Sequence, residues 1–432
     1  MTTRRIRATA TSGVISQDQA WAVVCDFCDP WHPAINEMRA ETDDAGHIVR
    51  AFTVAGEDTL YRERLTYFSN SDHRMGYTHL DGIEGAHRYG GWLAITEARS
   101  GDTVVCMSAT IEATAARADA IAAGTQAVFD AGVKAIVEAA AGHAAGGETG
   151  LLPPSQITLD QMQIDSLPRL AITITPEGSD TLVLFLHGIG GNRDNWNPQL
   201  QAIAPYARAA ALDLRGYGGS SLGASQSTVD DYCADIQRVC DVLGARRLVL
   251  CGLSYGAWIA TSFAMRHPER LAGLVLSGGC TGMSEAGPDE RDAFRISREV
   301  PSDEGRAPAD FATAVVDVIA GPDASPEMRG ALTTSMAAIP AQTYRDALRC
   351  FTNPLETFDF SRLTMPVLLM TGEHDRLAPP EEMRRVSERI WDASQFPDVH
   401  FEVITGAGHV CNLEKPDLYN ASLTGFIKRV VG

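Results

Sequence analysis

The second half of the chain repeats one pattern, in which a short and almost wholly apolar run is followed by a turn and then by a helical stretch. The apolar runs span residues 181–186, 209–214, 247–251, 271–276, 367–370 and 401–404. Runs of this kind are typical of strands covered on both faces, and their alternation with helices predicts a mostly parallel sheet. Because such sheets place their sites at the carboxyl ends of strands, candidate functional residues are expected in the turns that follow the runs.

The turn after the third run carries a candidate nucleophile. Residues 251–256 read Cys-Gly-Leu-Ser-Tyr-Gly and lead from the apolar run into a helical stretch. A serine flanked in this way by Gly252 and Gly256 is typical of a nucleophile elbow, in which a tight turn lifts the hydroxyl of Ser254 clear of the sheet. The pattern therefore predicts nucleophilic catalysis by Ser254.

Two later turns offer the partners that a serine needs. A serine hydroxyl is too weak an acid to attack a carbonyl unaided, and His409, in the glycine-rich turn after the last run, is the candidate general base. The carboxylate that orients the imidazole is predicted to be Asp375, which is favoured over Glu373 in the same turn, and Asp213 is the runner-up. The predicted chain order of the three groups is serine, aspartate, histidine.

The turn after the first run predicts an oxyanion hole, although a plain glycine turn would have the same composition. Residues 187–191 read His-Gly-Ile-Gly-Gly. Acyl transfer develops negative charge on the carbonyl oxygen, and two main-chain N–H groups can stabilise it. We expect these N–H groups to belong to Ile189 and Tyr255. Three further residues are predicted to contact the substrate: Gly188, Trp196 and Val410.

The first half of the chain has a different character. Residues 1–142 predict a strand, a helix from about Gln17 to Cys28, a series of about six strands and a long alanine-rich helix over about 118–140. Residues 143–158 are rich in Ala and Gly, contain Pro-Pro and predict a linker. Six aromatic residues could line a cavity or belong to an ordinary core: Trp31, Tyr61, Tyr67, Tyr77, Tyr89 and Trp92.

Composition excludes several classes of function. The 432 residues include 36 Lys and Arg against 55 Asp and Glu, which gives a net charge of −19. Nucleic acid and anionic membrane surfaces are poor partners for such a chain. No apolar run is long enough to suggest a signal peptide or a membrane span, and the nine scattered cysteines do not form a disulfide framework. A cytoplasmic protein with reduced thiols is the expectation.

Residues 159–432 resemble the α/β-hydrolase superfamily, and in particular the branch of 3-oxoadipate enol-lactonases and haloperoxidase-type esterases. The resemblance rests on the turns described above and on matching stretches at residues 194–196, 212–218, 266–270 and 408–416. It implies a helical cap at about residues 281–362 and structural roles for Asp213 and Arg215 as a turn-bracing pair. Residues 1–142 resemble the START/polyketide-cyclase-like helix-grip fold in the order of their elements, which implies a cavity for a hydrophobic molecule.

These observations predict a serine hydrolase that cleaves an ester or lactone of a small hydrophobic or aromatic substrate through an acyl-enzyme. Ser254 at the elbow argues against the related dehalogenases and epoxide hydrolases, which use aspartate there. Hydrolysis of a C–C bond in a diketone-type substrate is an alternative. A hydrophobic ligand sensor with a non-catalytic hydrolase scaffold is the alternative from another class. No metal or cofactor is expected, and the first half could bind ligand, shape the active-site entrance or mediate homodimerisation.

Overall fold

A computed structural model describes residues 1–43, 45–142, 157–176, 180–303, 306–353 and 357–431. The chain divides into two compact units, which are Met1–Leu152 with Phe396–Phe401, and Pro153–Gln395 with Glu402–Gly432. Of the linker predicted at 143–158, all but the last two residues lie outside the described residues.

The first unit is an antiparallel sheet with a short helix near its start and a long helix at its end. The strands pair in the order β2-β3-β4-β5-β6-β7-β1. The elements are β1 (Thr2–Ser12), α1 (Gln17–Val24), β2 (Ile35–Thr42), β3 (Ile48–Val54), β4 (Leu60–Ser69), β5 (Arg74–Asp81), β6 (Arg88–Glu97), β7 (Thr103–Ala113) and α2 (Ala115–Gly142). This order confirms the predicted helix-grip fold.

Helix α1 is shorter than the sequence predicts. It begins as expected, because the side chain of Ser16 accepts the N–H of Gln19 and the side chain of Gln19 accepts the N–H of Ser16. It ends at Val24, however, and the prediction that it continues to Cys28 is wrong. The carboxylate of Asp26 accepts the N–H of Cys28 at 2.8 Å, and such local bonds compete with the helical ladder.

The core of the first unit lies between the sheet and the two helices. Phe129, Val133 and Ile136 of α2 are buried in it, together with Tyr77 and Tyr89 of the sheet. These two tyrosines therefore belong to the hydrophobic core. Helix α2 is also long and apolar enough to cross a membrane by length and composition, a test that core helices of soluble proteins pass as well. No such segment was expected from the sequence, so this result differs from the prediction.

The second unit is built on a mostly parallel sheet, as predicted. Strands β10 to β14 run parallel, and β9 and β8 add antiparallel strands at one edge, in the order β15-β14-β13-β12-β10-β11-β9-β8. The strands are β8 (Asp160–Ile164), β9 (Leu170–Ile174), β10 (Thr181–Leu186), β11 (Arg208–Leu212), β12 (Arg247–Leu253), β13 (Leu271–Ser277), β14 (Val367–Gly372) and β15 (Val399–Ile404).

Helices follow most of these strands. Four helices form an insertion between β13 and β14, which we call the cap. The cap consists of α6 (Pro288–Asp303), α7 (Pro308–Ile319), α8 (Pro326–Ala337) and α9 (Ala341–Thr352). The other helices are α3 (Asn197–Ile203), α4 (Val229–Val242), α5 (Tyr255–Arg266), α10 (Pro380–Ala393), α11 (Cys411–Glu414) and α12 (Pro416–Val431).

The register of the two central strands brings two of the predicted turns together. In the parallel pair of β10 and β12, Leu186 lies opposite Gly252. The residues that follow each strand therefore start from the same edge of the sheet, at the same height along the strands. The turn that begins at His187 and the turn that contains Ser254 are neighbours for this reason.

Candidate active site

The turn between β12 and α5 holds Ser254 in a left-handed conformation, with φ 55° and ψ −114°. Residues that carry a side chain rarely adopt a positive φ angle. Among the described non-glycine residues, only His73 and Ser254 have one. A Cβ on Gly252 would collide with the main chain of Gly256, and a Cβ on Gly256 would collide with the carbonyl of Leu186. The two glycines therefore permit the close packing that this tight turn requires.

The structure brings His409 and Asp375 into direct contact. The Nδ1 atom of His409 lies 2.8 Å from Oδ2 of Asp375, and both side chains are buried. The other carboxylate oxygen, Oδ1, accepts the N–H groups of Leu377 and Ala378 at 2.8 and 2.9 Å. Burial alone would raise the pKa of Asp375, but the charge and hydrogen bond of His409 and the two N–H groups outweigh it and lower the pKa. The aspartate is therefore held as a carboxylate against the imidazole.

The two other candidate carboxylates brace turns and do not contact the imidazole. Glu373 Oε2 accepts the N–H of Gly406 at 2.9 Å. Asp213 accepts the N–H of Arg193 on one oxygen and that of Gly219 on the other, both at 2.8 Å. Neither carboxylate has the bond to the histidine that Asp375 makes.

Arg215 is structural but does not pair with Asp213, so the implied bracing pair needs correction. Its guanidinium contacts Asp235 at 2.8 Å and Asp231 at 3.1 Å, both on α4. Asp213 and Arg215 therefore stabilise the same segment through separate partners. Both residues lie after the end of β11 at Leu212, in a segment where the alternation of a strand no longer decides which side chains share a face.

Two consecutive glycines, Gly278 and Gly279, follow β13 and lie next to His409 and Ser254, respectively. A Cβ on Gly278 would lie 3.1 Å from Nδ1 of His409, and a Cβ on Gly279 would lie 3.6 Å from Cα of Ser254. Within the described part of the chain, the Nε2 atom of His409 is buried and has no hydrogen-bond partner. The sequence analysis missed these two glycines, although their position after an apolar run was a usable signal.

The loop after β10 is oriented by His187, which belongs to the predicted motif but was given no role of its own there. The N–H of Leu214 can only donate, so Nε2 of His187 accepts it at 3.1 Å and Nδ1 carries the proton. Nδ1 donates to the carbonyl of Gly188 at 2.8 Å, and the N–H of Gly191 donates to the same carbonyl at 3.0 Å. Burial lowers the pKa of His187, which keeps this neutral form. Because a trans peptide directs its C=O and N–H in opposite directions, these bonds turn the N–H of Ile189 away from them.

The two N–H groups predicted to form the oxyanion hole lie on the two segments that flank the serine. A Cβ on Gly188 would lie 3.3 Å from Cβ of Ser254, so the loop that carries Ile189 runs against the serine. Tyr255 is the first residue of α5. The first turn of a helix leaves its N–H groups without partners in the helix, which leaves that of Tyr255 available to an anion.

Two of the three residues predicted to contact substrate belong to the core. Trp196 is fully buried, stacks on Phe185 with ring centroids 4.8 Å apart, and lies 6.3 Å from the ring of Tyr419. The prediction that Trp196 contacts substrate is therefore wrong. Val410 follows His409 directly but is only 7% exposed and packs in the same core. Large apolar side chains beside a site motif look alike in sequence whether they face the core or the site.

The cap contacts the loop after β10 through α8, which sequence reasoning also missed. Ser335 donates to the carbonyl of Gly190 at 3.0 Å and accepts from the side chain of Asn192 at 3.1 Å. These partners are 145 and 143 residues apart in sequence. No local pattern could have indicated a contact of that range.

The described residues contain no group of three or more His, Cys, Asp or Glu side chains arranged to hold a metal ion. The candidate site thus consists of Ser254 in a tight turn, the bonded pair of His409 and Asp375, and the loop after β10, which runs next to the serine. A family model described as alpha/beta hydrolase fold matches residues 181–416, more than half of the chain. The chain belongs to this family. A second model, described as polyketide cyclase / dehydrase and lipid transport, matches residues 3–141.

Known proteins of this family resemble the second unit at low identity. A pimeloyl-[acyl-carrier protein] methyl ester esterase of Nitrosospira multiformis is 26% identical over 58% of this chain and 95% of its own length. A 3-oxoadipate enol-lactonase of Acinetobacter baylyi is 22% identical over 57% of this chain and 88% of its own. The structure of a thermophilic esterase from Thermogutta terrifontis aligns with a TM-score of 0.56 at 25% identity, covering 64% of this chain and all of the esterase. The chain is thus a hydrolytic enzyme of the α/β-hydrolase family.

Proposed function

We propose that the enzyme hydrolyses a carboxylic ester or lactone by nucleophilic catalysis, with Ser254 as nucleophile, His409 as general base and Asp375 as the carboxylate that orients the imidazole. The observation that carries this proposal is the 2.8 Å contact of Asp375 with Nδ1 of His409. It directs the unpartnered Nε2 atom of the same ring away from the carboxylate, where it can accept the proton of a serine hydroxyl.

In the acylation step, Oγ of Ser254 attacks the carbonyl carbon of the substrate while Nε2 of His409 takes the hydroxyl proton. The carbonyl oxygen becomes an oxyanion, and the N–H groups of Ile189 and Tyr255 stabilise it. The imidazolium is stabilised by the carboxylate of Asp375 and then gives its proton to the departing alkoxide. An alcohol leaves, or in a lactone the ring opens, and the acyl group remains on the serine oxygen.

Deacylation repeats the same steps with water as nucleophile. His409 takes a proton from water, the hydroxide attacks the acyl carbon, and the second oxyanion occupies the same two N–H groups. Collapse releases the carboxylic acid and returns the proton to Oγ of Ser254. No group besides water is consumed, so the cycle needs no cofactor.

An apolar side chain of the cap packs beside the turn that carries the serine. Phe351 of the cap packs edge-on against Tyr255, with ring centroids 5.7 Å apart, and against Trp258 at 5.4 Å. A cap side chain thus reaches the residue next to the nucleophile. The names of the two relatives above, a methyl ester esterase and an enol-lactonase, also agree with an ester or lactone.

A panel of aryl esters, alkyl esters and lactones, followed by kcat and KM, tests the proposal. A fluorophosphonate should label the protein once, and peptide mass spectrometry should place the label on Ser254. Ser254→Ala should lose at least about a thousandfold in kcat and all labelling. Activity that survives this substitution would overturn the mechanism, and turnover of diketones in preference to esters would favour C–C hydrolysis instead.

We propose that the first unit binds a hydrophobic small molecule and in this way supports the hydrolytic activity of the second unit. The match of residues 3–141 to a family that includes lipid transport supports this proposal. Native mass spectrometry of the whole chain tests it, because a bound ligand appears as an adduct and a homodimer as a doubled mass. A doubled mass without any adduct would favour dimerisation as the role of this unit.

A further inference from the structure

The cap also contacts the loop that carries His409, and this contact is unusually close. The N–H of His409 donates to the carbonyl of Ile319, the last residue of α7, at 2.7 Å. A Cβ on Gly321 would lie 2.6 Å from the nitrogen of Gly408, and a Cβ on Gly408 would collide with the main chain of Gly321. The two backbones therefore meet at a distance that only glycine permits.

One side chain joins the two backbones at this point. Oε2 of Glu414 accepts the N–H of Gly321 at 2.7 Å and the N–H of Gly408 at 3.0 Å. Its other oxygen, Oε1, is buried without a hydrogen-bond partner among the described residues. Hydrogen bonds to a carboxylate are stronger than those between neutral groups, so this oxygen is a firm link between the cap and the histidine loop.

The rest of the histidine loop is attached to the opposite side. The N–H of Glu373 donates to the carbonyl of Ile404, and the N–H of His374 donates to that of Ala407. These bonds fix the loop to the turn that carries the aspartate, but they end before Gly408. The N–H groups of Gly408 and His409 have other partners, which are Oε2 of Glu414 and the carbonyl of Ile319 in the cap. These two bonds hold the backbone that carries the imidazole.

We propose that Glu414 is a positioning residue, which fixes His409 relative to the cap by binding Gly321 and Gly408 with one oxygen. The proposal rests on the proposed function, because it assigns the imidazole to catalysis. Glu414 does not contact the imidazole. It acts on the backbone that carries the ring, so its loss should displace Nε2 of His409 from the serine and lower kcat more than it changes KM.

The test compares two substitutions of Glu414 in the full chain, with ester hydrolysis as the assay. Glu414→Ala removes the acceptor, and kcat should fall about 10- to 100-fold, the scale expected for a catalytic group displaced by about 1 Å. Glu414→Gln keeps one oxygen that can accept both N–H groups, so kcat should stay within about threefold of the wild type. Its amide nitrogen replaces the buried Oε1 without a partner, so its Tm should nevertheless fall. Across the two variants, kcat should therefore depend on whether the hydrogen-bond acceptor is kept, and it should not follow the Tm.

A matched control and a second variant complete the design. Lys415→Gln removes an exposed contact with Asp323, 3.5 Å long, across the same junction, and should leave kcat unchanged. Gly321→Ala keeps the carboxylate but inserts a Cβ 2.6 Å from the nitrogen of Gly408 and 2.8 Å from Oε2 of Glu414. It should lower kcat as Glu414→Ala does, and it also tests the proposal if Glu414→Ala does not fold.

The outcomes separate this inference from the proposed function. A wild-type chain that hydrolyses no ester or lactone contradicts the proposed function. If the wild type is active, the positioning role is overturned when folded Glu414→Ala or folded Gly321→Ala keeps kcat within twofold of the wild-type value. The role is also overturned if Glu414→Gln loses as much kcat as Glu414→Ala. A loss of kcat in Glu414→Ala that Glu414→Gln restores, with KM within about threefold throughout, supports it.

Discussion

Replacing Asp375 by asparagine should inactivate the enzyme without unfolding it, because the structure dictates how the amide must lie. Oδ1 of Asp375 accepts two main-chain N–H groups, from Leu377 and Ala378. Only the amide oxygen can keep those bonds. The amide nitrogen must therefore take the place of Oδ2, 2.8 Å from Nδ1 of His409.

An amide nitrogen at that position donates to Nδ1 of His409 and forces the imidazole to carry its proton on Nε2. A ring in this tautomer cannot accept the proton of Ser254. The same substitution in a comparable triad lowers kcat by about 10⁴, which corresponds to about 5.5 kcal/mol of activation free energy. The shape of the side chain is unchanged. Oγ1 of Thr371, 3.3 Å from Oδ2 in the structure, can accept the second amide hydrogen.

The assay measures kcat on the best ester and the Tm of each variant. Glu373→Gln is the matched control, because its amide oxygen can still accept the N–H of Gly406. We expect Asp375→Asn to lose about 10⁴ in kcat with a small change in Tm, and Glu373→Gln to keep nearly full activity. An Asp375→Asn enzyme with more than a tenth of the wild-type kcat, or an equally inactive Glu373→Gln enzyme, would refute the assignment of the acid.

Two further substitutions and a change of pH test buried groups in the two units. Nε and Nη2 of Arg50 both contact Oε2 of Glu63 inside the first unit, at 2.8 and 2.6 Å, with both side chains buried. Glu63→Gln should therefore lower the free energy of unfolding by about 3–5 kcal/mol in urea titrations, because it leaves a buried cation, and a loss below 1 kcal/mol would argue against this. His187→Phe should lower kcat about 10²-fold with little change in KM, since the carbonyl of Gly188 loses the donor that orients the oxyanion loop; a normal kcat would mean that Gly191 and the chain alone hold the loop. Burial lowers the pKa of both His187 and His32, so below about pH 6.5 the unfolded chain binds protons that the folded chain does not. The Tm should therefore fall between pH 7.5 and 5.5 in calorimetry, and a constant Tm would contradict this sign.

The sequence predicted those features that depend on a single segment. The run at 181–186 is apolar at every position but one, and it is a fully buried parallel strand. The glycines around Ser254 predicted a tight turn because a side chain would collide at either position. Element boundaries were predicted less well. Helix α1 ends early because the carboxylate of Asp26 accepts the N–H of Cys28, and this local bond outweighs the helical periodicity.

Features that depend on contacts between residues far apart in the chain could not be predicted from the sequence. Glu414 is one acidic residue in a short helix, and its role appears only when Gly321, 93 residues earlier, is brought to it. Trp196 was misjudged for the same reason, because its environment is made by Phe185 and Tyr419. The cap was predicted as an insertion, but its contacts with the loop after β10 and with the loop that carries His409 could not be predicted.

The pairing of Leu186 with Gly252 has a consequence for how such an enzyme can change. The hydrogen-bond ladder between β10 and β12 sets the position of the loop after β10 relative to the turn that carries Ser254. Inserting one residue into either strand would shift one loop by about 3.3 Å against the other and would turn its side chains to the opposite face. Length changes in this enzyme should therefore be tolerated at surface loops, whereas the lengths of these two strands are fixed by the need to keep the two turns aligned.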